Sequence, residues 1–204
     1  MGLREEKKRA TRTAIADVAL GLFLERGFDR VTVADVARAV PVSVNTVFNY
    51  FPTKEDLFFD RQDEVVQRLP AAIRARAAGE SVAAAARRAF LAEIDREDPT
   101  LGLQPGIAEF WRVIDESPAL QARLRHLRDR TESALAEALR AVTGTGADDP
   151  MPRVAAALLA AADATLHAEV RRRVRAGDDP TSIRDHLRQM AGLTFDAVER
   201  GLPI

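Results

Sequence analysis

The sequence predicts an all-α protein: an N-terminal three-helix unit with helix-turn-helix spacing, followed by a larger helical domain. Three observations carry this. The composition leans on alanine, leucine, arginine and glutamate, which have the best intrinsic helix propensities. Apolar residues recur at helical spacing, as along Ile15, Val18, Ala19, Leu22 and Phe23, and no stretch alternates with period two for long enough to make a strand. The periodic stretches also break at helix punctuation, namely Gly27, Pro41, Pro70, Ser117-Pro118 and the GTGADDPMP segment at 144–152.

The first helix should run from about Arg4 to Arg26 and end on Gly27 as a glycine just past a helix C-terminus. Phe28 then returns to a small core with Val33, Val36, Val47, Phe51 and Leu57. Thr32 and Asp35 have the spacing of a capping box, and Val33, Val36, Ala37 and Val40 give the second helix one apolar stripe. Pro41 stops that helix, and a turn built on proline should avoid positive φ at this position. Ser43 caps a short third helix whose inward residues are Val47 and Phe51, leaving Val44, Asn45, Phe48 and Asn49 outward. These elements place a domain boundary after residue 52, giving domains 1–52 and 53–204.

Thr53 caps the next helix, with Lys54, Glu55 and Asp56 in its first turn, and Leu57, Phe58, Val65, Val66 and Leu69 carry it to Pro70, where it must kink or stop. Five further helices are expected in 81–201. One starts at Ser81 and runs through Arg96, and the next contains Ile107, Phe110, Trp111 and Ile114. A long one starts at Ser117-Pro118, with proline at the first helical position, and two more span about 152–176 and 181–201.

Composition excludes several function classes. There is no cysteine, so neither disulfides nor thiolate catalysis is available. The first residues lack an apolar stretch of signal-peptide length, and the small-apolar run Val154 to Ala162 is too short for a membrane span and is closed by Asp163. A cytoplasmic protein without membrane contact is therefore expected. His126, His167 and His186 are scattered, and His167-Ala168-Glu169 has the H-x-E spacing of zinc deaminases but no cysteine ligand. With no HExxH, GxSxG or P-loop pattern, the sequence reads as a non-enzyme with no catalytic residue, metal or cofactor.

The third helix suits the DNA major groove, where asparagine bonds bidentately to adenine and apolar groups meet a thymine methyl. Val44, Asn45, Phe48 and Asn49 are the candidate base readers. The net charge of −1 is not that of a uniformly basic protein, but Arg4, Lys7, Lys8, Arg9 and Arg12 cluster ahead of this motif, where phosphate neutralisation is expected. Lys8, Arg12, Thr32, Thr46, Tyr50 and Lys54 are the candidate phosphate contacts.

At these residues the sequence resembles the tetracycline-repressor (TetR) family. The matching residues are Gly27-Phe28, Thr32-Val33, Ala39-Val40-Pro41-Val42-Ser43, Asn45-Thr46-Val47-Phe48-Asn49-Tyr50-Phe51 and Lys54-Glu55-Asp56-Leu57, and the likeness covers about residues 10–58. Pro41 and Asn45 stand where the family pattern has glycine, and Phe48 where it has tyrosine. The resemblance implies a repressor that binds a pseudo-palindromic double-stranded operator as a homodimer and is released by a small, largely apolar effector, with the helix from Thr53 to Leu69 as the lever. It also faintly implies an acyl-CoA-like or otherwise lipophilic ligand.

Two regions carry the rest of that expectation. Phe90, Ile94, Leu103, Ile107, Phe110, Trp111, Ile114, Leu124, His126 and Leu127 come from the most apolar and aromatic part of the chain. Read from the residues alone they fill a solid core or line a pocket, and the resemblance favours an effector pocket. The segment VAAALLAAADATL is apolar nearly all the way round, so its second face wants a partner. A four-helix bundle between two protomers would use Leu158, Leu159, Ala162, Leu166, Met190, Leu193, Phe195 and Val198.

Overall fold

The structure is a computed structural model that describes residues 2–201, with α-helices and no strand among the described residues. The chain divides into two compact units. The first runs to Gln62 and takes in Glu109–Leu124, and the second holds Asp63–Ala108 and everything from Arg125 onward.

In the first unit α1 (Leu3–Arg26) packs on α2 (Val33–Ala39) and α4 (Lys54–Phe58), and α2 packs on α3 (Val44–Tyr50). Ile15, Ala19, Phe23, Phe28, Val36, Val47, Phe51, Leu57 and Phe58 are buried in its core. Val113 and Ile114 of α7 (Ile107–Glu116) and Leu120 of α8 (Pro118–Thr143) complete that core. The unit therefore extends beyond the boundary at residue 52. The reason is aromatic: Phe58 stacks on Phe110 with ring centroids 4.5 Å apart and touches Phe23 and Phe28 from its other sides. A three-helix core this small gains stability from such added apolar burial.

Two local expectations are corrected. The helix begun at Thr53 does not run on to Leu69. It ends at Phe58, Phe59 leaves helical dihedrals (φ −101°, ψ 52°), and α5 (Gln62–Arg74) starts afresh. That break lets the Phe59 ring pack edge-on against Phe58 and Phe110, and lets the Gln62 amide turn back to donate to Asp56 Oδ1 (2.7 Å). Pro70, in turn, lies inside α5 without ending it, because Leu69, Pro70 and Ile73 are all buried and packing outweighs the missing ladder bond.

The second correction concerns the turn after α2. Pro41 adopts φ 27°, on the positive side that the sequence argued against. The cause is the helix ending: Val42 N–H donates to Ala37 O (3.0 Å), the six-to-one bond of a Schellman motif, and that closure needs a left-handed residue between α2 and Val42. Proline supplies it against its ring preference near −65° and without the second N–H bond of the motif.

In the second unit α10 (Pro180–Gly201) packs on α6 (Val82–Asp95) and α9 (Met151–Ala176). The core includes Leu69, Ile73, Phe90, Ile94, Leu135, Leu139, Leu159, Leu166, Leu187 and Phe195. Into it runs a charge cluster. Arg68 of α5 donates from one nitrogen to Glu93 of α6 and from another to Asp163 of α9. Burial works against the Arg68 charge, but Asp163 and Glu93 outweigh it and hold its pKa above the ordinary guanidinium value. Burial also pushes the Glu93 carboxyl up, against the pull of Arg68 and His167. Among the described residues no helix is long and apolar enough to cross a membrane.

Candidate nucleic-acid interface

The interface is built around α3. Ser43 precedes it in extended backbone, and its Oγ accepts the Thr46 N–H (3.0 Å), one of the donors a helix start leaves unpaired. Val47 and Phe51 lie on the inner side, 0% and 1% exposed, and fasten the helix to the core. The opposite side presents Val44, Asn45, Phe48 and Asn49 to solvent. Val44 and Phe48 are 40% and 44% exposed, an open position for large apolar side chains that have no partner within the unit's core. A surface of two amides and two apolar groups on a helix narrow enough for the major groove can both bond base edges and meet thymine methyls.

The candidate phosphate contacts divide into two groups. Lys8 is exposed on the α1 arm, and a shallow groove lined by Arg4, Glu5, Lys7, Lys8, Thr11 and Tyr50 lies beside it. Thr32 is exposed and caps α2, donating its hydroxyl to Asp35 Oδ2 (2.6 Å), while Thr46 is half-buried and shares a hydrogen with Ser43 Oγ (2.7 Å). Bonds from the Thr32 side chain and backbone, with Arg38, hold the Asp35 carboxyl down at about 2.

Arg12 and Lys54 have other work. The Arg12 guanidinium donates to the backbone carbonyls of Tyr50 (2.9 Å) and Asp60 (3.0 Å) and lies 4.2 Å over the Phe51 ring. The Lys54 ammonium sits 4.2 Å over the Phe28 ring, and burial pulls its pKa down despite Asp29 and Glu55. A phosphate would compete with these contacts. Sequence spacing gives no sign of either, because both pairings join residues far apart along the chain or fixed only by packing.

Other tertiary ties escape the sequence reading too. Asp56 closes the Thr53 capping box and also accepts from Gln62 and from Arg123 of α8. Burial raises its pKa, but the bonds from Gln62 and Thr53 and the charge of Arg123 outweigh it and hold the carboxyl below its usual value. Ser117 Oγ donates to Asp29 Oδ1 (3.0 Å), so α7 and α8 are bonded to the loop before α2 as well as packed against α4.

The residues expected to line one pocket go to different places. Phe90 and Ile94 are fully buried in the second unit's core, with Leu103 packed against it. Phe110, Trp111, Ile114 and Leu124 pack in the first unit instead, drawn there by Phe58. Ile107 is half-buried, Leu127 is buried and His126 is exposed, so His126 does not face an apolar interior. The expected dimer residues divide likewise. Leu159, Ala162, Leu166 and Phe195 are buried in the core of the second unit. Met190 and Val198 pack at the margin of that core, and Leu158 (42% exposed) and Leu193 (75%) face out, joined by Val154 (46%).

Comparison with known proteins agrees with this geometry. The family described as "Bacterial regulatory proteins, tetR family" matches residues 15–60, the span of the helix-turn-helix. The transcriptional regulator TcmR of Streptomyces glaucescens is 32% identical over 151 residues, covering 72% of this chain and 67% of that protein. LuxR of Vibrio harveyi, also an HTH-type regulator, is 46% identical over 54 residues, 26% of each chain. Among solved structures, SmeT in complex with triclosan superposes at a TM-score of 0.59 with 15% identity, covering 94% of this chain and 91% of that one. A TetR-family regulator of Streptomyces coelicolor superposes at 0.57 with 23% identity, covering 96% and 99%. TcmR and LuxR are both HTH-type transcriptional regulators. A short helix of the expected build with an exposed face, the family match that spans it and a relative matched over two thirds of its length lead to one conclusion: this chain belongs to the TetR family of DNA-binding transcriptional regulators.

Proposed function

We propose that the protein is a homodimeric repressor that binds a pseudo-palindromic operator through α3 and leaves it on binding a small, largely apolar effector. The observation that supports the DNA reading best is the outward row Val44, Asn45, Phe48 and Asn49 over the fully buried Val47. Asn45 and Asn49 bond base edges, Val44 and Phe48 meet thymine methyls, and Lys8, Thr32, Thr46 and Tyr50 hold phosphates. The exposed Val154, Leu158 and Leu193 would be the surface through which two protomers pair, and a homodimer would read half-sites about 34–36 Å apart, one turn of the duplex.

Effector release follows from linkage: a ligand that favours a conformation with badly spaced reading helices weakens DNA binding by the factor by which DNA weakens its own binding. The apolar second unit, with Phe90, Ile94 and Leu103, would open its packed core to admit such a lipophilic or acyl-CoA-like ligand, and SmeT with triclosan is a structural neighbour. Selection of bound duplexes from a random pool, followed by footprinting of the winner, tests the reading. A protected palindrome with half-sites one helical turn apart is the expected result, and failure to enrich any sequence over random competitor rejects it.

A further inference from the structure

Arg12 belongs to the basic arm, where a phosphate contact is the obvious role, yet its geometry is that of a clamp. It leaves α1 and reaches the far end of α3. One guanidinium nitrogen donates to the carbonyl of Tyr50, the last residue of α3, and another to the carbonyl of Asp60 in the joint between α4 and α5. Both carbonyls lie where helical ladders leave acceptors unpaired. A cation at a helix C-terminus also meets the negative end of the helix dipole. The guanidinium plane covers Phe51, which is itself 1% exposed, so the same side chain seals the core under the helix end. At its start α3 is held by Ser43, and along its inner side by Val47; Arg12 holds the other end.

We infer that Arg12 is a positioning residue for DNA reading: it fixes the pose of α3 and ties it to the α4–α5 joint, and it spends its donors there rather than on phosphate. A rearrangement at Asp60 then reaches α3 through one side chain. The inference rests on α3 being the reading helix. It also predicts a requirement for arginine at this position: two carbonyls at separate places are met by the guanidinium fork, which a lysine ammonium at the same charge cannot reproduce.

The experiment uses the full chain with Arg12→Lys, Arg12→Gln and Asn45→Ala, the operator recovered by selection, and a random duplex of equal length, titrated across a potassium chloride series. A clamp predicts that Arg12→Lys and Arg12→Gln both lower the operator-to-random affinity ratio by roughly tenfold, the order expected for losing bonds from a charged donor. It also predicts an unchanged salt slope and faster amide exchange across Val47–Phe51. A residue that only stabilises the fold would reduce the active fraction for both duplexes alike and leave the ratio unmoved. A phosphate contact would be retained by Arg12→Lys, while Arg12→Gln would lose equally on both duplexes with the slope reduced by ~0.9; either pattern overturns the inference. An unchanged ratio in Asn45→Ala sinks the reading of α3 instead, and the clamp is then judged on exchange, where undiminished protection in both Arg12 variants overturns it.

Discussion

Removing the positive member of the buried cluster in the second unit gives a test with a definite sign. Arg68 is the shared donor for Glu93 and Asp163, whose side chains are 1% and 12% exposed. Glu93 Oε2 and Asp163 Oδ1 already lack a hydrogen-bond donor. Replacing Arg68 by methionine keeps the stem's apolar contacts and leaves two carboxylates without their counter-charge. Breaking a buried pair from one side costs about 3–5 kcal/mol, and the partial exposure of Asp163 puts the expected loss near the lower end, ~3 kcal/mol at about pH 7.

The pH dependence identifies the cause. The folded-state pKa of Glu93 is already raised by burial, with Arg68 opposing that rise. Without Arg68 it rises further, so the native state holds the Glu93 proton more tightly than the unfolded chain does. Such a group contributes stability that is full below its unfolded value of ~4.3 and is lost as pH climbs through the raised value. The cost of Arg68→Met is therefore largest at neutral pH and shrinks on acidification toward about pH 4.5. His167 faces the same carboxylates: its Nδ1–H donates to the Asp163 carbonyl (3.0 Å), and its Nε2 lies 3.8 Å from Glu93 Oε2. Urea denaturation followed by helical circular dichroism, at one protomer concentration and several pH values, measures the effect. A triple variant with Glu93→Leu and Asp163→Leu added should recover to within ~1 kcal/mol of the parent or exceed it. A loss below ~1 kcal/mol in Arg68→Met, or one that is the same at both ends of the pH range, refutes the reasoning.

Four further outcomes are expected. Asn45→Ala should cost ~1–3 kcal/mol of operator affinity and relax preference at one base pair, with random DNA unaffected, as a binding-site selection repeated on the variant would read. Leu193→Glu, at a side chain 75% exposed, should leave helicity intact and turn the proposed dimer into a monomer by light scattering at micromolar concentration; an undisturbed dimer places the interface elsewhere. Asp56→Asn should destabilise by ~1–3 kcal/mol near neutral pH. Because the folded pKa of Asp56 is depressed, that stability is present above its unfolded value and lost as pH falls through the folded one, so the two proteins should converge in acid. Pro41→Gly should raise stability by ~1 kcal/mol, since relief of the positive φ and the regained N–H outweigh the added freedom of the unfolded chain; a fall in the melting temperature contradicts the Schellman reading of the turn.

The sequence alone determined whatever depends on near neighbours. Helix caps at Thr32, Ser43, Thr53 and Ser81 are all present, because a cap is a bond between residues three apart and is written in the spacing. The two faces of α3 follow from helical periodicity, so the buried Val47 and the open Asn45, Phe48 and Asn49 were legible. Only the tertiary structure decided where long-range partners went. Phe110 and Trp111 have the spacing of any apolar stripe, and it took Phe58 to draw them into the first unit rather than a pocket. Leu158 and Leu159 are adjacent and chemically alike, yet one faces out and the other is sealed in, a choice made by which side of α9 packs against α6 and α10. The same holds for the charges. Arg12 and Arg68 look like ordinary surface cations in sequence, and even Asp163, visible as a lone acid closing an apolar run, gives no sign of its partner. Periodicity fixes which side of a helix is apolar, but a charge's role depends on which distant carbonyl or carboxylate the folded backbone brings within bonding distance.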